Sequence, residues 1–337
     1  MPARTSSTQM PVKGLERFKL NTYRPPGFLG FWDSTVAELA AIAPEIDIVT
    51  VQAPDDGLQL QRLVYTSFGG VRIHGYLLRP VSGRSRPLVV HAHGYEDRYE
   101  LQIEWARLGL NVLGFDARGA GRSAAAVSVS EFGYLLTGIE SPATSILRGA
   151  VADFLQSVQV AMELLEGDFG TLAFYGFSFG GALALMAAAM SRDADFVVLG
   201  QPTFGWTEER RRLGLGGSAL QLRQYVEKFR WRHDEAMETL RYFDTLNFAP
   251  LIRAPALVGI GLDDDVVPSR TVLALVNHMR CPLEVRLLPV SHSDDPLETR
   301  WQAFHDEWLG YLSSRLPADF GDEARQVRTL LGHSSPG

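Results

Sequence analysis

The segment at residues 171–190 constrains the fold more than any other part of the chain. A strongly apolar run at residues 171–175 is followed by Gly176-Phe177-Ser178-Phe179-Gly180 and then by an alanine-rich stretch at residues 182–190. This order predicts a strand, a tight turn and a helix, the setting in which a Gly-x-Ser-x-Gly serine is exposed at a sheet edge. Glycines on both sides let the strand and helix approach closely, because they lack a Cβ. Ser178 is therefore the candidate nucleophile; the alternative is a Gly-rich turn with an incidental serine.

Apolar strands alternate with helical segments on both sides of this motif. Strands are predicted at residues 87–91, 111–115, 195–200, 256–261 and 283–288, and helices at residues 31–43, 101–108, 148–165, 269–279 and 297–314. This alternation predicts an α/β fold with a mostly parallel central sheet and helices on both faces. In such sheets the active residues gather at the carboxyl ends of the strands.

Residues 201–250 interrupt this alternation of strands and helices, because they consist of helical segments rich in arginine and aromatic residues. We interpret them as a helical insertion that covers the active edge of the sheet. The expected organisation is a single domain at residues 14–316, preceded by a disordered tail at residues 1–13 and followed by a C-terminal extension at residues 317–337. Residues 124–147 are expected to form a polar, small-residue loop.

Composition excludes several classes of function. The 337 residues carry a net charge of −7, so no basic field attracts nucleic acid or anionic lipid. A single cysteine excludes a disulfide within the chain. No metal-ligand spacing or phosphate-binding loop is present, so we expect neither a metal nor a cofactor. The polar start of the chain lacks the apolar region of a secretory signal, and the longest apolar helical run is too short to span a membrane. We therefore expect a cytoplasmic protein without a membrane partner.

A serine hydroxyl needs a base within hydrogen-bond reach and an acid that orients the base. In a fold with this Gly-x-Ser-x-Gly turn, which we call the elbow, the expected chain order is serine, acid, histidine. His292 follows the strand at residues 283–288 and is the candidate base. Three adjacent aspartates, Asp263, Asp264 and Asp265, follow the strand at residues 256–261, and their spacing leaves the choice of acid open.

The oxyanion of acyl transfer needs two preorganised donors. The first candidate is the amide of Phe179, directly after the serine. The second should lie in the loop after the strand at residues 87–91, where the Tyr95 amide of His93-Gly94-Tyr95 fits. Tyr95, Phe204 and Trp206 are also candidates to line a substrate pocket. Residues 118–123 are interpreted as a structural turn in which Arg118 holds neighbouring loops.

Further segments make the chain resemble the acetyl xylan esterase and cephalosporin-C deacetylase family of α/β-hydrolases over residues 26–312. Besides the elbow, the segments that carry the resemblance are Phe31-Trp32, residues 70–76, His93-Gly94-Tyr95, Arg118-Gly119, Tyr242-Phe243-Asp244 and the turn from Leu262 to Pro268. The resemblance implies Ser178 as nucleophile, His292 as base and the amides of Tyr95 and Phe179 as oxyanion donors. Asp264 matches the family's acid, which stands four residues before the proline.

The resemblance implies an esterase that removes acetyl groups from acetylated sugars or small esters such as cephalosporin C. It also implies a homo-oligomer, a hexamer whose active sites face an internal cavity. Phe179, Ala120 and Ser293 stand where the family has glutamine, glutamine and glutamate. Two alternatives stay open: a hydrolase of another ester, lactone or peptide-like substrate, and a hydrolase scaffold that only binds a ligand.

Overall fold

The structure is a computed structural model that describes residues 20, 24–81, 86–292, 294, 304 and 307–310. In these ranges nine strands form one sheet in the order β1-β2-β3-β5-β4-β6-β7-β8-β9. The strands are β1 (Asp47–Val51), β2 (Leu58–Ser67), β3 (Val71–Pro80), β4 (Leu88–Ala92), β5 (Asn111–Phe115), β6 (Leu172–Phe177), β7 (Phe196–Gly200), β8 (Ala256–Gly261) and β9 (Leu283–Leu288). The expected tail at residues 1–13, the extension at residues 317–337 and most of the helix expected at residues 297–314 lie outside the described residues.

The sheet combines an antiparallel margin with a parallel centre. β1, β2, β3 and β5 pair antiparallel in that order. From β5 through β4, β6, β7 and β8 to β9, every pair is parallel. All residues of β4, β5, β7 and β8 are buried, which explains why these strands appear in the sequence as continuous apolar runs. The predicted α/β-hydrolase fold class is confirmed.

Helices lie on both faces of this sheet. The α-helices of the described ranges before residue 300 are α1 (Phe28–Ala40), α2 (Ile103–Arg107), α3 (Ile146–Leu164), α4 (Phe179–Met190), α5 (Thr207–Leu213), α6 (Gly217–Lys228), α7 (His233–Arg241), α8 (Thr245–Phe248) and α9 (Ser269–His278). Along β6, Phe174 packs into the larger core cluster with Phe154 of α3, whereas Tyr175 packs with Trp105 and Trp308 on the other face. Alternate side chains of one strand thus contribute to two cores.

Helices α5–α8 occupy the interval between β7 and β8, where the helical insertion was predicted. In the described parts of the chain, no helix is both long and apolar enough to cross a bilayer.

The prediction of a polar loop at residues 124–147 was wrong in its second half. Tyr134–Leu136 form a short 3₁₀ helix whose three side chains are buried, and α3 begins at Ile146 rather than at residue 148. The Tyr134 hydroxyl donates to the carbonyl of Arg118 at 2.9 Å, so this buried polar group has a hydrogen-bond partner. The apolar residues of this segment are too few to give a period, so the surrounding small polar residues concealed them.

Candidate active site

Ser178 lies in the turn between β6 and α4 with φ 53° and ψ −112°. A positive φ on a non-glycine residue costs of the order of 1–3 kcal/mol, so the neighbouring structure must impose it. A Cβ on Gly176 would lie 2.1 Å from the Gly180 backbone, and a Cβ on Gly180 would lie 2.3 Å from the Ala92 carbonyl oxygen. The two glycines of the motif therefore allow the close strand–helix contact that holds Ser178 in its strained turn.

On one side of Ser178 lie the turns after β8 and β9, which we call the base flank. The ring of His292 packs against Phe177, the residue before the serine, with ring centroids 5.0 Å apart. Its Nδ1 is hydrogen-bonded to Oδ2 of Asp264. Its Nε2 is buried and has no hydrogen-bond partner among the described residues, so the bond to Ser178 is not made here. Such bonds are often long in a free enzyme and shorten when substrate binds.

The three candidate aspartates occupy different environments. The Asp264 side chain is buried, and its Oδ1 accepts from the amides of Val266 at 3.0 Å and Val267 at 2.7 Å. Asp265 accepts from the hydroxyl of Ser291 at 2.7 Å, and Asp263 is exposed. An ionised carboxylate only accepts hydrogen bonds, so the pairing with Asp264 places the imidazole proton on Nδ1 and leaves Nε2 as the basic nitrogen.

Gln201 was missed in the sequence, although it fixes the acid turn. It is fully buried at the end of β7 with φ 42°. Its amide nitrogen donates to the carbonyls of Val267 at 2.7 Å and Gly261 at 3.3 Å, and its Oε1 accepts from the Gly261 amide at 2.6 Å. A glutamine directly after an apolar strand is the signal that could have indicated this role.

On the other side of Ser178 lie the loop after β4 and the start of α4, which we call the oxyanion flank. The Phe179 amide is the first of α4, and the first amides of a helix lack intrahelical acceptors. The Tyr95 ring packs edge-on against Phe179 with centroids 5.8 Å apart. The two residues predicted to supply oxyanion amides are therefore neighbours.

The Phe179 side chain, which stands where the family has glutamine, is 1% exposed. It packs against the rings of Tyr95, Tyr134 and Phe204, with centroids 5.4–5.9 Å away. The guanidinium of Arg210 lies 5.2 Å from the centroid of Phe204. Phe179 thus lies at the centre of an aromatic cluster, at a position where the resemblance implies a polar amide side chain.

The insertion connects the two flanks. The Tyr95 hydroxyl donates to Gln221 of α6 at 2.6 Å, and the Gln221 amide donates to Glu96 at 3.0 Å. Burial raises the pKa of the Tyr95 phenol, so it remains a donor. Six residues before Gln221 in the insertion, the Leu215 amide donates to the carbonyl of Asp265 in the acid turn at 2.8 Å. One segment of chain therefore crosses the carboxyl edge of the sheet from the oxyanion loop to the acid turn.

Trp206 lies apart from these contacts. It lines a cavity of about 770 Å³ together with Thr207 and Asp244, and the lining of that cavity contains neither Ser178 nor His292. Its amide donates to Asp244 at 3.0 Å. The assignment of Trp206 to the substrate pocket stays a prediction.

The Arg118 turn has the geometry expected of a structural element. The guanidinium forms a buried ion pair with Asp153 at 2.7 Å and donates to the Phe68 carbonyl at 2.9 Å. Ala120, at a position where the resemblance implies glutamine, is buried, and Ser293 lies outside the described residues. Among the described side chains no cluster of three or more histidines, cysteines and carboxylates could hold a metal ion.

Comparisons with known proteins identify the family of the chain and support its fold. A family model described as acetyl xylan esterase (AXE1) matches residues 6–309. The acetyl esterase Axe7A of Xylanibacter ruminicola is 22% identical over 307 residues, which are 85% of this chain and 67% of that protein. The structure of an acetyl xylan esterase from Paenibacillus sp. R4 is 26% identical with a TM-score of 0.80, covering 90% of this chain and 98% of that one. Acetyl xylan esterase 1 from Thermoanaerobacterium sp., 22% identical with a TM-score of 0.77, covers 87% of this chain and 97% of its own and shows the same fold.

Proposed function

Because the chain belongs to the acetyl xylan esterase family of carboxylic ester hydrolases, we propose that it removes acetyl groups from acetylated sugars or related small esters such as cephalosporin C. Ser178, His292 and Asp264 form the catalytic triad of this proposal, and the amides of Tyr95 and Phe179 form the oxyanion hole. The substrate is a small-molecule ester, and no cofactor takes part.

In the acylation step, Oγ of Ser178 attacks the acetyl carbonyl carbon while Nε2 of His292 takes the hydroxyl proton. Asp264 holds the Nδ1 proton and stabilises the imidazolium that forms. The two amides bind the carbonyl oxygen as it becomes an oxyanion. Collapse of the tetrahedral intermediate breaks the bond to the sugar oxygen, which leaves as an alcohol with the proton from His292.

Deacylation repeats these roles with water as the nucleophile. His292 takes a proton from water, the resulting hydroxide attacks the acetyl-serine, and the proton returns to Oγ of Ser178 as acetate leaves. Each turnover therefore consumes one ester and one water and releases one alcohol and one acetic acid.

The observation that supports the triad most strongly is the state of His292. Its Nδ1 is held by a buried carboxylate, its Nε2 is buried without a partner among the described residues, and its ring packs against the residue before Ser178. A buried polar atom without a partner costs free energy, so its presence calls for an explanation. A role as the acceptor of the serine proton is such an explanation.

The first test is the hydrolysis of p-nitrophenyl acetate by Ser178→Ala. We expect turnover to fall by about 10⁴-fold or more with folding intact, as measured by circular dichroism. Unchanged hydrolysis by the variant would end the assignment. Labelling of the native protein, but not the variant, by a serine-reactive phosphonate distinguishes an enzyme from a scaffold that only binds ligands.

The second test addresses the substrate. An acyl-length series of p-nitrophenyl esters is compared with an acetylated sugar, cephalosporin C, a lactone and an aminoacyl amide. The proposal expects the highest kcat/KM on acetyl esters and turnover of at least one acetylated natural compound. A preference for lactones or amides would replace the substrate class while leaving the triad intact.

A further inference from the structure

His93 contacts both sides of the oxyanion flank, although the mechanism above gives it no role. It follows β4 and is 6% exposed. Its Nδ1 lies 2.6 Å from the carbonyl oxygen of Gly94, and its Nε2 lies 3.0 Å from the amide nitrogen of Ala117. Its ring also packs against Phe179 with centroids 6.0 Å apart.

These two contacts fix the tautomer of His93. A backbone amide can only donate, so Nε2 accepts from Ala117 and carries no proton. The proton of the neutral ring is therefore on Nδ1, which donates to the Gly94 carbonyl. Burial lowers the pKa of His93, which agrees with a ring that is neutral near pH 7.

The carbonyl that His93 holds shares a peptide unit with the candidate oxyanion donor. The C=O of Gly94 and the N–H of Tyr95 belong to one planar unit, and this peptide bond is trans. The two groups point in opposite directions, so fixing the carbonyl also fixes the direction of the Tyr95 N–H. If the unit rotated about its flanking bonds, the donor would turn away from the reacting oxygen.

We propose that His93 is a positioning residue that sets the orientation of the Gly94–Tyr95 peptide and so preorganises the oxyanion hole. This inference rests on the proposed acyl-transfer function. The Ala117 amide that binds His93 is itself held in place by the core. Ala117 precedes Arg118, whose amide and guanidinium both donate to the buried carboxylate of Asp153. On the far side of the Gly94–Tyr95 peptide, the side chain of Tyr95 is also held, because its hydroxyl accepts from the Leu135 amide at 2.7 Å.

The test compares His93→Phe with His93→Gln. Phenylalanine keeps a ring against Phe179 but removes both hydrogen bonds, whereas the glutamine amide can both donate and accept. For His93→Phe we expect kcat on p-nitrophenyl acetate to fall on the order of 100-fold with KM little changed, because the donor matters chiefly in the transition state. Methylboronic acid, which forms a tetrahedral adduct with the serine, should bind weaker by a similar factor. His93→Gln should recover part of both losses.

His91→Phe is the matched control. His91 is a buried histidine two residues earlier, within β4, but its ring is hydrogen-bonded to the Tyr76 hydroxyl at 2.7 Å and not to the Gly94–Tyr95 peptide. The His91→Phe variant should be less stable than the wild type but should keep its kcat. Equal kcat values for His93→Phe and His91→Phe, or no recovery in His93→Gln, would overturn the inference.

A crystal structure of His93→Phe gives a readout that needs no activity. The inference expects the Gly94–Tyr95 peptide to rotate, and an unchanged peptide would contradict it. A wild-type protein that neither hydrolyses esters nor reacts with a phosphonate would count against the proposed function, whereas an active wild type with an insensitive His93→Phe would count against this inference alone.

Discussion

The base flank and the oxyanion flank meet at Ser178 but are held together in different ways. The base flank depends on side-chain hydrogen bonds: Asp264 binds His292 and two backbone amides, and Gln201 joins β7 to the acid turn. The oxyanion flank also has side-chain hydrogen bonds, made by His93 and Tyr95, but in addition it depends on close backbone contact. A Cβ on Gly180 would lie 2.3 Å from the carbonyl oxygen of Ala92 and 2.9 Å from that of His93. We therefore expect the base flank to be sensitive to the loss of a charge and the oxyanion flank to be sensitive to added volume.

The largest expected effect is on the base flank. In Asp264→Asn, the amide cannot act as the acceptor for His292 and both backbone amides in the same way, and the imidazole loses the group that fixes its tautomer. We expect kcat on p-nitrophenyl acetate to fall by about 10⁴-fold with the fold retained.

Asp263→Asn and Asp265→Asn are the matched controls for this substitution. Asp263 is exposed, so its change should stay within about twofold. The amide oxygen of an asparagine at Asp265 can still accept from Ser291. Similar losses of kcat in all three variants would show that Asp264 is not the acid that orients His292.

The second effect is on the oxyanion flank and comes from one added methyl group. In Gly180→Ala the new Cβ would lie 2.3 Å from the carbonyl oxygen of Ala92 and 2.9 Å from that of His93. Both atoms are backbone, so β4 and α4 must separate. We expect a loss of about 3 kcal/mol in the free energy of unfolding, measured with urea, and a fall in kcat as the Phe179 amide moves away from the Tyr95 loop.

The same substitution at Gly30 in α1 provides the control, because a Cβ there has no atom within 4 Å. Gly30→Ala should stabilise the protein by about 0.5–1 kcal/mol through helix propensity. If both alanines had the same sign of effect, close contact at the elbow would not be what holds the oxyanion flank.

The contrast between the flanks also explains what the sequence could predict. β5, β8 and β9 agree residue for residue with the predicted strands at residues 111–115, 256–261 and 283–288, because the residue types of a short strand and of the turns that bound it are local signals. The order of serine, acid turn and histidine is equally visible. The elbow glycines were identified for the same reason, since their role depends on the residues next to them.

The remaining features depend on partners far apart in the chain. Gln201 bonds Gly261, which is 60 residues away, and no local pattern records such a pairing. The spacing of the three aspartates gave no choice between them, because their difference lies in burial and in contact with His292. Likewise, the hydrogen bond between Tyr95 and Gln221 joins residues 126 positions apart, so it is visible only in the folded structure.

The smallest expected effect concerns pH and distinguishes the flanks by their histidines. His91 and His93, which lead into the oxyanion flank, are both buried. Burial lowers the pKa of His91 from 6.5 to about 3 and also lowers that of His93. The groups facing His91 are the Tyr76 hydroxyl at 2.7 Å, the Trp105 ring and His93, and burial raises the pKa of Tyr76, so none of them supplies a negative charge.

The sign of the pH effect follows from linkage. Between pH 6.5 and about 3 the unfolded chain binds a proton at His91 that the folded chain does not, so stability is present above pH 6.5 and is lost as the pH falls. The slope is roughly 1 kcal/mol per pH unit for this residue. His91→Phe removes the titration, so its urea midpoint should decline less steeply than that of the wild type between pH 6.5 and 4.5. Carboxylates common to both proteins cancel in that difference, and parallel curves would mean that acid sensitivity does not arise from this buried imidazole.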